Sequence, residues 1–166
     1  MRRYLTLGSI LVVIGVTGIA VATASGGGED FGAALSGYKE VPAISTDGHG
    51  NIQLELANDE IAYRLEYSEM SSDVLFAHIH FGRPATNGGV SAFLCGGAAA
   101  PACPARSGVV RGTIEASDVV GPVAQGIAEG ELRELLRAMF ARATYANVHT
   151  ELFPSGEIRG QLRRRG

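Results

Sequence analysis

The chain has 166 residues, 46% hydrophobic and 19% charged, a length and composition that fit one ordinary globular domain and exclude a two-domain enzyme. Its 14 Lys plus Arg stand against 17 Asp plus Glu, giving a formal net charge of −3. A general nucleic-acid binder would be basic, so no nucleic-acid partner is expected.

The chain opens with Arg2 and Arg3, an uncharged and mostly apolar run from Leu5 to Val21, and the small-x-small triplet Ala22-Thr23-Ala24. This pattern predicts an export signal over residues 1–24. The same run is long enough to span a bilayer as an uncleaved N-terminal membrane anchor with the arginines inside, and any membrane contact is expected through it alone. A twin-arginine signal is poorly matched, because Met1 stands where a polar residue is usual. The domain is therefore expected to work outside the cytoplasm, secreted or held at the cell envelope. Residues 25–30 read as a Gly-rich linker, 31–162 as the domain and 163–166 as a basic tail.

Short β-type runs with turn residues between them are expected at Phe31–Leu35, Asn51–Leu56, Glu60–Tyr67, Val74–Phe81, Val90–Cys95, Val109–Glu115, Tyr145–Leu152 and Glu157–Leu162. In the second run Ile52, Leu54 and Leu56 alternate with Asn51, Gln53 and Glu55, the mark of a strand with one packed face and one wet face. The fold class expected is all-β, an antiparallel Greek-key β-sandwich of about eight short strands. One packed α-helix interrupts it. Over Glu131–Ala143 the residues Leu132, Leu135, Leu136, Met139 and Phe140 recur at helical spacing, and Leu135, Met139 and Phe140 are expected in the core. A shorter turn is expected at Ser117, capped by that side chain and stopped by Gly121-Pro122.

Cys95 and Cys103 are the two cysteines of the chain. In an exported protein they predict a disulfide closing the Gly/Ala/Pro loop between them. No Cys-x-x-Cys spacing supports the alternative of a cysteine metal site.

The chemistry-bearing residues are histidines. His78 and His80 lie at i and i+2 of one expected strand and so share a face, with Phe76 on the same parity. Two imidazoles so placed can reach one ion. His149, on a distant expected strand, completes a three-histidine metal site if the two strands are neighbours, with copper favoured and zinc second as cofactor. His49, in Asp47-Gly48-His49-Gly50, is expected to be a solvated loop residue or an extra ligand. Metal binding by such a set is expected to weaken as pH falls through the imidazole range near 6.5. In the closing hairpin Glu157, Arg159 and Gln161 share a face. There Glu157 and Arg159 form a structural ion pair, or Arg159 faces the histidines and attracts an anionic ligand.

No Gly-x-Ser-x-Gly elbow, phosphate-cradling loop or His-Glu-x-x-His helix occurs, and no catalytic residue is assigned. The tail Arg163-Arg164-Arg165 is expected to be solvated and frayed, or to touch an anionic wall polymer or lipid.

Four motifs in order, Ala34-Leu35-Ser36-Gly37-Tyr38-Lys39-Glu40-Val41-Pro42, Ala77-His78-Ile79-His80-Phe81-Gly82, Tyr145-Ala146-Asn147-Val148-His149-Thr150 and Pro154-Ser155-Gly156-Glu157-Ile158-Arg159-Gly160-Gln161, resemble the CHRD domain, the repeat named from chordin. Lys39 and Ala146 depart from the family's usual Asn-type and Val residues. The resemblance implies a β-sandwich binding or scaffold module rather than an assigned enzyme. A metal-free adhesion module that binds an exported protein or a cell-surface polymer is therefore the alternative to a metal-binding function. The segment Phe76–Gly82 also resembles the copper-ligand strand of copper/zinc superoxide dismutases, with His149 and Arg159 standing for a late His and a late Arg. No set for a zinc site and no bridging His accompany it, so a copper redox activity of that kind is the third expectation.

Overall fold

The computed structural model describes residues 29–97 and 100–165, so the expected export segment lies outside the described residues. The described residues form β1 (Glu29–Ser36), β2 (His49–Ala57), β3 (Glu60–Ser68), β4 (Val74–Phe81), β5 (Gly89–Cys95), β6 (Gly108–Ile114), α1 (Leu132–Phe140), β7 (Thr144–Thr150), β8 (Ile158–Gln161) and β9 (Arg163–Arg165). The alternation in β2 works as expected: Ile52 and Leu54 are buried, while Asn51, Gln53 and Glu55 are exposed. Asn58 and Asp59 both have positive φ, 52° and 61°, which makes the tight turn whose twist suits the β2–β3 hairpin.

The strands run in the order β5-β4-β7-β8-β1-β2-β3-β6, with β9 also on β1, and every pairing is antiparallel. The neighbours β3/β6, β4/β7 and β1/β8 are joined by long connections of the Greek-key kind. A bridge between Ala92 of β5 and Val119, just beyond β6, draws the two ends together, so the sheet folds into a nearly closed, barrel-like sandwich. Phe31, Ile52, Leu65, Ile79, Val148 and Ile158 lie in its single core.

Several expectations are corrected. The linker stops short of residue 30, because β1 already begins at Glu29. The basic tail is not frayed: Arg163, Arg164 and Arg165 pair with Gly32, Phe31 and Asp30. β8 and β9 share one edge of β1, separated by the buried Leu162. Leu152 falls outside β7 and is exposed. Helix α1 is shorter than expected. It ends because Arg142 takes a left-handed conformation, with Arg142 N–H donating to Met139 O and Ala143 N–H to Ala138 O, the paired bonds of a Schellman stop. Leu135 and Met139 are in the core, but Phe140, in the last position, is 46% exposed and meets Phe31 edge-on. Ser117 lies in a 3-10 turn at Ala116–Asp118 but does not cap it, since Asp118 Oδ2 accepts from Glu115 N–H instead. Cys95 and Cys103 form the disulfide.

Candidate metal centre

In β4, β7 and β8 the residues Ala77, Ile79, Ala146, Val148 and Ile158 point into the core. Strand parity therefore turns Phe76, His78, His80, Tyr145, Asn147, His149 and Arg159 to the other face. Register brings them together, with Phe76 opposite His149, His78 opposite Asn147, His80 opposite Tyr145 and Asn147 opposite Arg159. This second face is buried too, and His78, His80 and His149 are all under 10% exposed.

The ligand-capable nitrogens of the three histidines lie within 4.8 Å of one another. His78 Nδ1 is 3.2 Å from His149 Nε2. Two nitrogens bound tetrahedrally to one ion at about 2.0 Å would lie roughly 3.3 Å apart, so this pair is already at ligand spacing. Phe76 stacks on His78 and tilts against His149, and Phe93 meets His78 edge-on at 4.4 Å, giving the cluster apolar walls.

Backbone carbonyls orient two of the rings. His80 Nδ1 faces Gly88 O at 2.9 Å, so in the neutral ring that nitrogen carries the proton and Nε2 keeps its lone pair. His80 Nε2 and His78 Nε2 are buried without a hydrogen-bond partner. His149 has oxygens at both ring nitrogens, Pro154 O at Nδ1 and Asn147 Oδ1 at Nε2, each at 3.0 Å. A neutral imidazole has one proton for the two, so one of these oxygens faces a lone pair.

Burial is the main reason all three imidazoles resist protonation. It lowers His78 to about 3, helped by the charges His149 and His80 would carry, and His80 to about 4. His149 is lowered as well. His78 and His80 are therefore neutral far below the 6.5 expected from sequence, and the acid limit for metal binding moves down with them.

The family model for the CHRD domain matches residues 31–162. The chain belongs to the CHRD domain family. No match was found among curated proteins or among solved structures.

In this CHRD domain the other candidate residues divide: His49 and Glu157 sit apart from the cluster, and Arg159 lies on its face. His49 is not part of the cluster. It begins β2, exposed, with Nδ1 on Asp47 O and Nε2 on Ser68 Oγ. The Glu157–Arg159 ion pair does not form among the described residues. Glu157 instead accepts from Thr46 Oγ1, Ser71 N–H, Ser71 Oγ and Thr150 Oγ1, a clamp tying two loops to β7. Burial alone would raise its pKa, but these donors outweigh burial and lower it. Arg159 does turn to the histidine face. It donates to Asn87 Oδ1, Arg83 O and Thr86 O, and its guanidinium lies 3.4 Å over the Tyr145 ring.

Three residues that bear on the site were not singled out from sequence. Tyr145 and Asn147 share parity with His149, a signal that was readable. Glu40 reaches the same region from the turn after β1, where Arg159 and Asn147 both act on its carboxyl, and nothing in its local sequence marks that. Among the described residues the histidine triad is the single group of three or more His, Cys, Asp or Glu able to share an ion, so the two-metal arrangement of a copper/zinc dismutase has no counterpart there.

Proposed function

We propose that this exported CHRD domain binds one metal ion through His78, His80 and His149, copper in preference to zinc. The observation that carries the reading is the convergence of one nitrogen from each of three buried imidazoles within 4.8 Å, with His78 Nδ1 and His149 Nε2 3.2 Å apart and the His80 Nε2 lone pair buried without a partner. A buried polar atom without a partner costs about 1–3 kcal/mol, and a cation among these atoms would satisfy them together. The carbonyls of Gly88 and Pro154 act as the outer partners that orient metal-bound imidazoles. A ligand set of neutral imidazoles without carboxylate suits copper and zinc, and the Irving–Williams order favours copper. Copper would let the site store, deliver or cycle an electron, whereas zinc would be structural. The disulfide and the family are consistent with a place outside the cytoplasm.

Calorimetric titration with Cu(I), Cu(II) and Zn(II) tests this on the wild type, His80→Ala and His149→Gln. Tight 1:1 binding by the wild type, tighter for copper and lost in both variants, is expected. Equal and weak binding by all three proteins would remove the site.

A further inference from the structure

Beside the histidine face, a groove of about 660 Å³ runs between β1, β9 and the turn that follows β1. Its lining includes Lys39, Arg159, Arg163, Arg164 and Arg165. Five cations line one groove of a chain whose net charge is −3. Their neutralisation from within is incomplete. Arg164 pairs with Glu29, but Arg163 and Arg165 have no ion-pair partner among the described residues. Arg159 is 2% exposed, and the oxygens that accept its hydrogen bonds are two carbonyls and one amide, all uncharged. Glu40 lies in the same lining and attracts Arg159, so one carboxylate stands against five cations and the groove stays net positive. The side chains of Asn51 and Gln161 add amides, and Tyr38, 74% exposed, adds an aromatic face.

We propose that this groove binds an acidic polysaccharide, with its carboxylates on Arg163, Arg165 and the recessed Arg159 and a sugar ring on Tyr38. The recessed cation argues for a chain that enters a groove, because a flat anionic bilayer cannot follow it inward. The exposed tyrosine argues for a ligand with an apolar ring face, which a bare phosphate chain lacks. Arg163 and Arg165 supply forked donors for carboxylates at the open end. The groove adjoins the histidine face through Arg159, but none of the three histidines lines it, and binding there does not require metal.

The test uses the purified full-length chain with a chelator present and polygalacturonate as probe, with polyphosphate, phosphatidylglycerol vesicles and uncharged dextran as comparisons. Polygalacturonate is expected to bind best and to weaken as salt rises, while dextran does not bind. Replacing both exposed arginines, Arg163→Gln with Arg165→Gln, removes two ion contacts and is expected to weaken binding about tenfold. Tyr38→Ala leaves the charge unchanged and is expected to weaken polygalacturonate severalfold while leaving polyphosphate unaffected. Circular dichroism matching the wild type confirms that these surface variants are folded. Three results would overturn the proposal: polyphosphate bound as tightly as polygalacturonate, vesicle binding that the arginine substitutions abolish, or a Tyr38→Ala variant that binds like the wild type.

Discussion

Tyr145 lies flat on His80, with ring centroids 4.8 Å apart and planes 4° from parallel, and it also carries the guanidinium of Arg159 over its ring. The phenol thus couples a histidine of the candidate centre to the buried cation of the neighbouring groove. Its hydroxyl accepts from Gly88 N–H at 3.2 Å, and Gly88 O in turn faces His80 Nδ1. One tyrosine fixes both the plane of the imidazole and the loop that orients it.

Removing that ring should therefore cost more than removing its hydroxyl. Tyr145→Phe is expected to lose one hydrogen bond, about 0.5–1.5 kcal/mol, and to keep metal affinity near the wild type. Tyr145→Ala is expected to lose about 3–5 kcal/mol and to weaken the first metal equivalent by an order of magnitude, because His80 loses its stacking partner. Urea unfolding and metal titration of the two variants measure both effects. Equal losses in the two would show that the stack does not hold the ring.

The histidines set an acid limit to stability. In the unfolded chain they take up protons near 6.5, but in the fold His78 and His80 do so only near 3 and 4. Between those values the unfolded state binds more protons, so stability is fully present above about 6.5 and falls as pH drops toward 4. Nitrogen-15 spectra of the metal-free protein should show His78 and His80 neutral at pH 5. Protonation of either ring at pH 6 would contradict this burial.

The histidine cluster was half legible in the sequence. Strand parity alone put His78, His80 and Phe76 on one face, because side-chain period in a strand is fixed by the backbone. Nothing local could place His149 beside them, since that depends on β7 pairing with β4 across 71 residues of chain. The same limit hid Arg163–Arg165. Their composition reads as a solvated tail, and only the free length of the β1 edge beyond β8 turns them into a strand. Phe140 misled for a different reason: helical spacing marks a face, but α1 stops at that residue and leaves it at the rim.

Glu157 is expected to be the costliest carboxylate to alter. Its four donors come from Thr46, Ser71 and Thr150, and its lowered pKa reflects them. A carboxylate whose folded pKa is lowered contributes stability above its unfolded pKa and loses it as pH falls through the folded value. Glu157→Gln places an NH2 group against hydroxyl and amide donors, and a loss of about 1.5–3 kcal/mol at pH 7 is expected. Thermal unfolding at pH 7 and pH 3 should show the gap between wild type and variant closing on acidification. A gap that persists at pH 3 would mean that shape, not charge, is what the clamp requires.

Glu40 is expected to behave in the opposite sense. Burial pushes its pKa up to about 7 against the opposing pull of Arg159, Asn147 and the Val41 backbone, and its Oε1 has no hydrogen-bond partner. The folded state then holds a proton that the unfolded chain has released between about pH 4.5 and 7. The sign follows: this contribution is fully present below the unfolded pKa and is lost as pH rises through the folded one. At pH 8 the fold carries a poorly solvated carboxylate, which Glu40→Gln replaces by a neutral group of the same shape. The variant should therefore be more stable than the wild type at pH 8, by something on the order of 1–3 kcal/mol, with the advantage vanishing near pH 5. Urea unfolding at the two pH values decides it. A variant less stable at pH 8 would show that attraction between the Glu40 carboxylate and the Arg159 guanidinium outweighs the cost of burying the charge.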